Sequence, residues 1–215
     1  MTRRARDDGE SARMPDAQGR PYVYLAGPDV FYPDALSRGA KMKAALAARG
    51  MAGLFPLDEE LRPGDYRDLQ QYALAIARSC EAQMRKADLG IFNIQPWRGP
   101  EADDGTAYEL GFMAALGKPV VLHTNDPRPF SERIASDVYR GDVRQDGAVK
   151  RGARDGMTIE EFGLADNLML IGAAARSARI VLGDGADPAR TVHASFEAAA
   201  DFALAIWRRP TAPAN

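Results

Sequence analysis

Short strand-like runs alternate with helix-like segments along this chain, and that alternation constrains the fold more than any other feature. Tyr22–Ala26 is a β-prone run ending at the turn signal Gly27-Pro28. Residues 33–49 place Leu36, Met42, Ala45 and Leu46 at helical intervals, and Gly50 follows as a helix stop. A weaker strand candidate at 51–55 is halted by Pro56. Residues 65–86 carry Leu69, Tyr72, Ile76, Cys80 and Met84 at steps of three and four, the stripe of an amphipathic helix. A buried-type strand at 89–94, a helix at 106–116 closed by Gly117, and a strand at 119–123 follow. Val192, Phe196, Ala199, Ala203 and Ile206 mark a terminal helix. Strand–helix alternation with short connections predicts an α/β fold: a flavodoxin-like or Rossmann-like three-layer sandwich around a mostly parallel sheet of about five strands. One domain is expected over 21–207, between polar tails at 1–20 and 208–215, both read as disordered.

In open sheets of this kind ligands bind beyond the carboxyl ends of the strands. The segments to search are therefore 27–34, 56–64, 94–109 and the stretch from 124 onward. The last contains about 33 residues (125–157) without a clear period. Loops that long are uncommon and are often either lids or unstructured insertions. Both readings stand at the level of sequence.

Composition removes several kinds of chemistry. A single cysteine, Cys80, allows neither an intramolecular disulfide framework nor a multi-cysteine zinc site. His123 and His193 are too far apart in sequence to form a compact metal cluster, so no metal site is expected. With 28 Lys+Arg against 30 Asp+Glu, the formal net charge of -2 gives no electrostatic reason to expect a nucleic-acid or anionic-membrane partner. No apolar run approaches a membrane span, and the first residues lack the apolar region of a secretory signal. A soluble, cytoplasmic domain is the expectation, with chemistry drawn from carboxylates, hydroxyls and amides.

Phosphate-binding motifs fail as well. No G-x-G-x-x-G follows the first strand, and Gly117-Lys118 runs into Pro119 where a P-loop needs Ser or Thr. No G-x-S-x-G elbow is present. No cofactor is therefore expected. The informative stretch is 97–111, which leaves a strand and opens a helix. Thr106 and Glu109 form T-x-x-E, the pattern of a capping box in which Thr106 caps and Glu109 reaches back. A functional reading uses the same residues. A carboxylate in the first helical turn, held ionised by the helix dipole, suits a nucleophile. A second carboxylate on the preceding loop can handle a leaving group's proton. Two carboxylates in different roles are the pattern of glycosyl transfer.

Three segments carry a resemblance. Tyr24-Leu25-Ala26-Gly27-Pro28 with Phe31, then Asp103-x-Gly105-Thr106-x-Tyr108-Glu109-Leu110-Gly111, then Phe162-Gly163-Leu164-Ala165-Asp166-Asn167-Leu168-Met169-Leu170, occur in the order and at the places found in the nucleoside 2-deoxyribosyltransferase family, which this chain resembles over about 22–124 and 159–171. The resemblance implies that Glu109 attacks C1′ of a 2′-deoxynucleoside and forms a covalent deoxyribosyl-enzyme, resolved by a second base or by water. It implies that Asp103 handles the proton on the base and that Tyr24, placed at the end of the first strand, orients the nucleophile. Gly27, Asp29, Phe31 and Gly105 are matched to substrate binding. Asn167 and Met169 match a segment that reaches a neighbouring subunit's site on the 5′ side of the sugar. Their other reading is ordinary helix-start chemistry. The implied partners are a deoxynucleoside and a free nucleobase, and the implied assembly is a homo-oligomer with shared sites.

One position departs from the family. Eight residues before Asp88, where many relatives carry Asp or Asn, this chain has Cys80, and its place on the apolar stripe reads as a buried core thiol. A thiol does not replace a carboxylate in a proton network, which bears on substrate preference and on transferase activity. Two alternatives follow. A 2′-deoxynucleoside 5′-monophosphate N-hydrolase would hold its phosphate after the first strand. There the chain instead has Asp29 and Asp34, which repel a phosphate, and Phe31 and Tyr32, which can stack on a base. A catalytically silent nucleoside-binding module is the non-enzymatic alternative.

Overall fold

The structure is a computed structural model that describes residues 15–175, 180–183, 185 and 194–208. Five strands, β1 (Tyr22–Ala26), β2 (Ala52–Leu54), β3 (Leu89–Asn93), β4 (Val120–Thr124) and β8 (Ile180–Leu182), form one sheet in the order β2-β1-β3-β4-β8. Every neighbouring pair is parallel. That strand order is the flavodoxin-like one.

Alternation along the strands assigns the two faces. Val23, Leu25, Leu89, Ile91 and Val121 pack against α1 (Ala35–Ala47) and α6 (Ala194–Trp207), through Met42 and Leu46 of the former and Phe196, Ala199 and Ala203 of the latter. Tyr24, Ala26, Phe92, Val120 and Leu122 face the other layer: α2 (Leu69–Lys86), α3 (Asp104–Ala115) and α5 (Leu168–Ala175). Because both faces are covered, the strands read as continuous apolar runs. Lys118 follows Gly117, whose φ is +70°, and its ammonium donates to the carbonyls of Met84 and Ala87 at the C-terminal end of α2. Gly117-Lys118 is thus a helix stop followed by a cap for a different helix, unrelated to phosphate binding. A buried polar chain, from His123 Nδ1 to Ser195 Oγ (3.2 Å) and from that hydroxyl to Asn125 Oδ1 (2.7 Å), pins α6 to the end of β4.

The region 125–157 is neither a long irregular loop nor an unstructured insertion. It holds α4 (Phe130–Arg133), a wider π-type turn at Ile134–Val138, and two strands, β5 (Val143–Asp146) and β6 (Val149–Gly152), which pair antiparallel with each other and with β7 (Thr158–Ile159). Its strands are half-exposed and carry Arg144, Gln145, Asp146, Lys150 and Arg151, so no apolar period betrays them. Tyr139 closes the small sheet against Gly152, where an added Cβ would lie 2.1 Å from the Tyr139 ring.

At the N-terminal end the expected tail gains structure sooner than residue 21. Asp16 Oδ1 accepts from the amides of Gln18 (3.0 Å) and Arg20 (2.8 Å), an Asx-type turn. Residues 1–14 and 209–215 lie outside the described residues, as do Val192 and His193. Arg208, expected to begin the C-terminal tail, still bonds back to Leu204. Among the described residues no helix is long and apolar enough to cross a membrane.

Candidate active site

The sheet order reverses at β1, with β2 on one side and β3 on the other. Connections leaving β1 and β3 therefore diverge and open a crevice at the carboxyl edge of the sheet. Tyr24 is central in β1, not at its end, and it is fully buried. Its side chain faces the α2/α3 layer, and its hydroxyl donates to Glu109 Oε1 at 2.6 Å, across 85 residues of sequence. Burial, reinforced by the charge of Glu109, pushes the phenol far above its ordinary range, so Tyr24 is a fixed donor.

Asp103, not Thr106, caps α3. Its Oδ2 accepts from the Thr106 amide (3.0 Å) and from the Thr106 hydroxyl (3.2 Å). Thr106 is the third residue of the helix, so the capping box expected from T-x-x-E does not form. Glu109, free of that role, lies in the second turn and is half-buried. It is not held ionised by the helix end. Burial, with a contribution from the charge of Asp103, pushes its carboxyl up to about 7, against the lowering effect of the hydrogen bond from Tyr24 and of the nearby Cys80 thiol. Gly105 leaves room for the cap, since a Cβ there would stand 3.0 Å from Asp103 Oδ2.

Cys80 does sit in the core beside Ile76 and Met84. It also borders the polar centre, close enough to Glu109 and Tyr24 for its thiol to influence both groups. Burial and the charge of Glu109 push the thiol up, which keeps it neutral.

The β1 loop, Pro28–Phe31, begins at Gly27 with φ +147°. An added Cβ at Gly27 would fall 2.5 Å from Asn93 Cβ, so the close approach of the β1 loop to the end of β3 needs glycine. Asn93, which sequence reading missed, donates through Nδ2 to Asp29 Oδ2 at 2.8 Å. Arg38, 3% exposed, holds Asp29 (3.3 Å) and Asp34 (2.9 Å). The repulsion expected from these two aspartates is therefore offset by a buried guanidinium. Phe31, 47% exposed, stacks on Trp97 with ring centroids 5.2 Å apart and planes at 12°. Tyr32 leans on the same indole, and Arg98 lies over both Phe31 and Trp97. Trp97 and Arg98 complete an aromatic wall of which only the Phe31 and Tyr32 side was legible.

Asn167 caps α5, with Oδ1 accepting the Met169 amide at 2.9 Å, and Met169 is 71% exposed. Helix-start chemistry is thus what the chain itself shows for this pair. Neither residue hydrogen-bonds Tyr24, Asp103 or Glu109. Among the described residues no group of three or more His, Cys, Asp or Glu side chains is placed to hold a metal ion.

The family model described as nucleoside 2-deoxyribosyltransferase matches residues 23–169, more than half of the chain. The chain belongs to this family. Among solved structures it is similar to a 2-desoxiribosyltransferase from Leishmania mexicana, at 29% identity and a TM-score of 0.58, over 88% of this chain and 99% of that one. A 2-deoxyribosyltransferase from Bacillus psychrosaccharolyticus aligns at 26% identity and a TM-score of 0.40, over 48% of this chain and 72% of its own. An uncharacterized protein of Schizosaccharomyces pombe is 36% identical over 176 residues, 74% of this chain and 80% of the relative. The matched residues include Tyr24, Cys80, Asp103 and Glu109, so the polar centre lies inside the family's own domain. Membership supports glycosyl-transfer chemistry on nucleosides.

Proposed function

We propose that the protein cleaves the N-glycosidic bond of 2′-deoxynucleosides and transfers the sugar to another base, or to water, through a covalent deoxyribosyl-Glu109 intermediate. The observation that carries this reading is the 2.6 Å bond from the buried Tyr24 hydroxyl to Glu109 Oε1 at the sheet's switch point. It aims one carboxylate and leaves its second oxygen to attack. Glu109 attacks C1′ as the bond from C1′ to the base nitrogen breaks, and the bonding pair leaves with the base. Asp103, whose Oδ2 is engaged in capping, presents Oδ1 to the base and handles its proton. An incoming base or water then attacks C1′, releases Glu109 and returns its proton through Asp103. Two displacements retain the anomeric configuration.

Phe31, stacked with Trp97, offers a face to the base, and Gly27 and Gly105 let backbone approach it closely. Asp29 acts mainly by holding Asn93. Exposed Met169 and the Asn167 turn suit completion of a neighbouring subunit's site on the sugar's 5′ side, in a cytoplasmic homo-oligomer. No cofactor enters the sequence of steps.

The test is to incubate the protein with deoxyadenosine or deoxyinosine plus a different free base and separate the products by chromatography. A new deoxynucleoside supports transfer, and free base with deoxyribose supports hydrolysis. Turnover confined to 5′-monophosphates selects the N-hydrolase reading. Unchanged substrate across purine and pyrimidine deoxynucleosides and their monophosphates leaves only a binding module.

A further inference from the structure

Among the described residues, a fully buried ion pair stands outside this chemistry. Arg133 and Asp166 have side chains 0% and 1% exposed, with NH2 of the guanidinium 3.0 Å from Asp166 Oδ2. Stability alone does not call for such a pair, because two well-packed apolar side chains of similar volume often serve as well. An apolar pair could not, however, hold backbone polar groups, and this pair holds three. Arg133 Nε donates to Pro100 O (2.7 Å) and NH1 to Arg128 O (2.9 Å). Asp166 Oδ1 accepts the Asn167 amide (2.8 Å). Pro100 lies three residues before Asp103, the cap of the helix that bears Glu109. Asn167 caps α5. A nearby backbone bond, Phe130 N to Leu164 O at 2.8 Å, braces the same junction.

We propose that Arg133 and Asp166 are positioning residues, a buried guanidinium–carboxylate pair that fixes the loop delivering Asp103 against the turn delivering Asn167. The inference rests on the glycosyl-transfer reading above. Its physical content is registration. The planar guanidinium presents donors in a fixed fork, so it ties residues 100, 128 and 166 together at set angles, which a flexible ammonium cannot do. Misplacement of a reacting group by about 1 Å can cost on the order of a hundredfold in rate. The pair also explains why the region 125–157 is folded beside the site, since its first helix supplies the arginine.

Two variants test this. The double variant Arg133→Met with Asp166→Leu removes both charges together and leaves neither one buried alone. Its melting temperature is expected to fall, because the buried backbone groups held by the pair lose their partners, so kcat is read well below that temperature. Its kcat should fall about a hundredfold, with KM for the deoxynucleoside changed less than about threefold. Arg133→Lys keeps the charge but not the fork, and should recover at least about tenfold over the double variant while remaining below the parent. A parental kcat in either variant overturns the proposal, and Arg133→Lys decides alone should the double variant not fold. Hydrogen exchange supplies a readout independent of turnover. Amides 102–105 and 167 should exchange at least about tenfold faster in the folded variant, with α2 unchanged. Unaltered exchange at those amides also overturns it. A parent that turns over no nucleoside defeats the proposed function instead, and exchange still decides the role of the pair.

Discussion

Removing one oxygen atom, in Tyr24→Phe, isolates the contact on which the proposed chemistry depends. The ring remains in its fully buried place, so packing is preserved and only the 2.6 Å donation to Glu109 Oε1 is lost. Hydrogen bonds to charged partners contribute about 1.5–3 kcal/mol. At about 1.4 kcal/mol per tenfold, kcat/KM should drop roughly 10- to 150-fold. The same bond lowers the Glu109 pKa, which stands at about 7. Losing it must move the pKa upward, by about one to two units at most on the same energies. The lower end is expected, because a hydroxyl can also donate to a protonated carboxyl. Near neutral pH the ionised fraction would then fall from about a half to about a tenth. The assay is the pH dependence of kcat/KM with a fixed deoxynucleoside, whose acid limb reports the nucleophile in the free enzyme. The limb should shift toward higher pH, with activity partly recovered at alkaline pH. An acid limb that stays in place at parental rates would refute the assignment of Tyr24 as the group that orients an ionised Glu109.

Other outcomes follow from the same geometry. Because burial raises the Glu109 carboxyl from 4.5 to about 7, the folded state binds this proton more tightly than the unfolded chain. Glu109 thus favours folding fully below about 4.5, and that contribution, at most about 3 kcal/mol, is lost as pH rises through about 7. Glu109→Gln should therefore melt increasingly above the parent across that window, and a difference independent of pH contradicts the burial argument. Gly27→Ala, with φ +147° and a Cβ 2.5 Å from Asn93 Cβ, should lower the urea midpoint by at least about 1 kcal/mol in stability. An unshifted midpoint contradicts the close approach of Gly27 to the end of β3. Trp97→Ala removes the face on which Phe31 stacks and should raise KM for the acceptor base about two- to tenfold with little change in kcat. A change in kcat alone speaks against a base-binding wall. Light scattering tests shared sites, which a strict monomer excludes.

The layers of this molecule were legible because a buried parallel sheet writes itself as apolar runs between amphipathic stripes. β1 begins and ends where its β-prone run does, and α2 follows its stripe from Leu69 onward. The region 125–157 was not legible for the complementary reason: its strands are short, polar and half-exposed, so period two never emerges. Within the candidate site, the T-x-x-E spacing drew attention to Glu109 and the family resemblance to Asp103 and Tyr24, but the capping bonds expected there do not form. T-x-x-E fits a capping box as well as it fits a nucleophile, and only tertiary structure shows Asp103 taking the cap and Glu109 turning to β1. Cys80 illustrates the same limit, since one apolar stripe can serve both the core and the polar centre beside it. Asn93 and Arg38 reach Asp29 across 64 and 9 residues, and Arg133 reaches Asp166 across 33, separations that no periodicity encodes.

The most direct test of the central claim is mass spectrometry of the protein quenched in acid during turnover of a deoxynucleoside without acceptor base. The peptide containing Glu109 should carry the mass of one 2-deoxyribosyl group, released when acceptor base is added and absent in Glu109→Gln. Steady turnover with that peptide unmodified under single-turnover trapping, or the sugar attached to a different residue, would contradict the account.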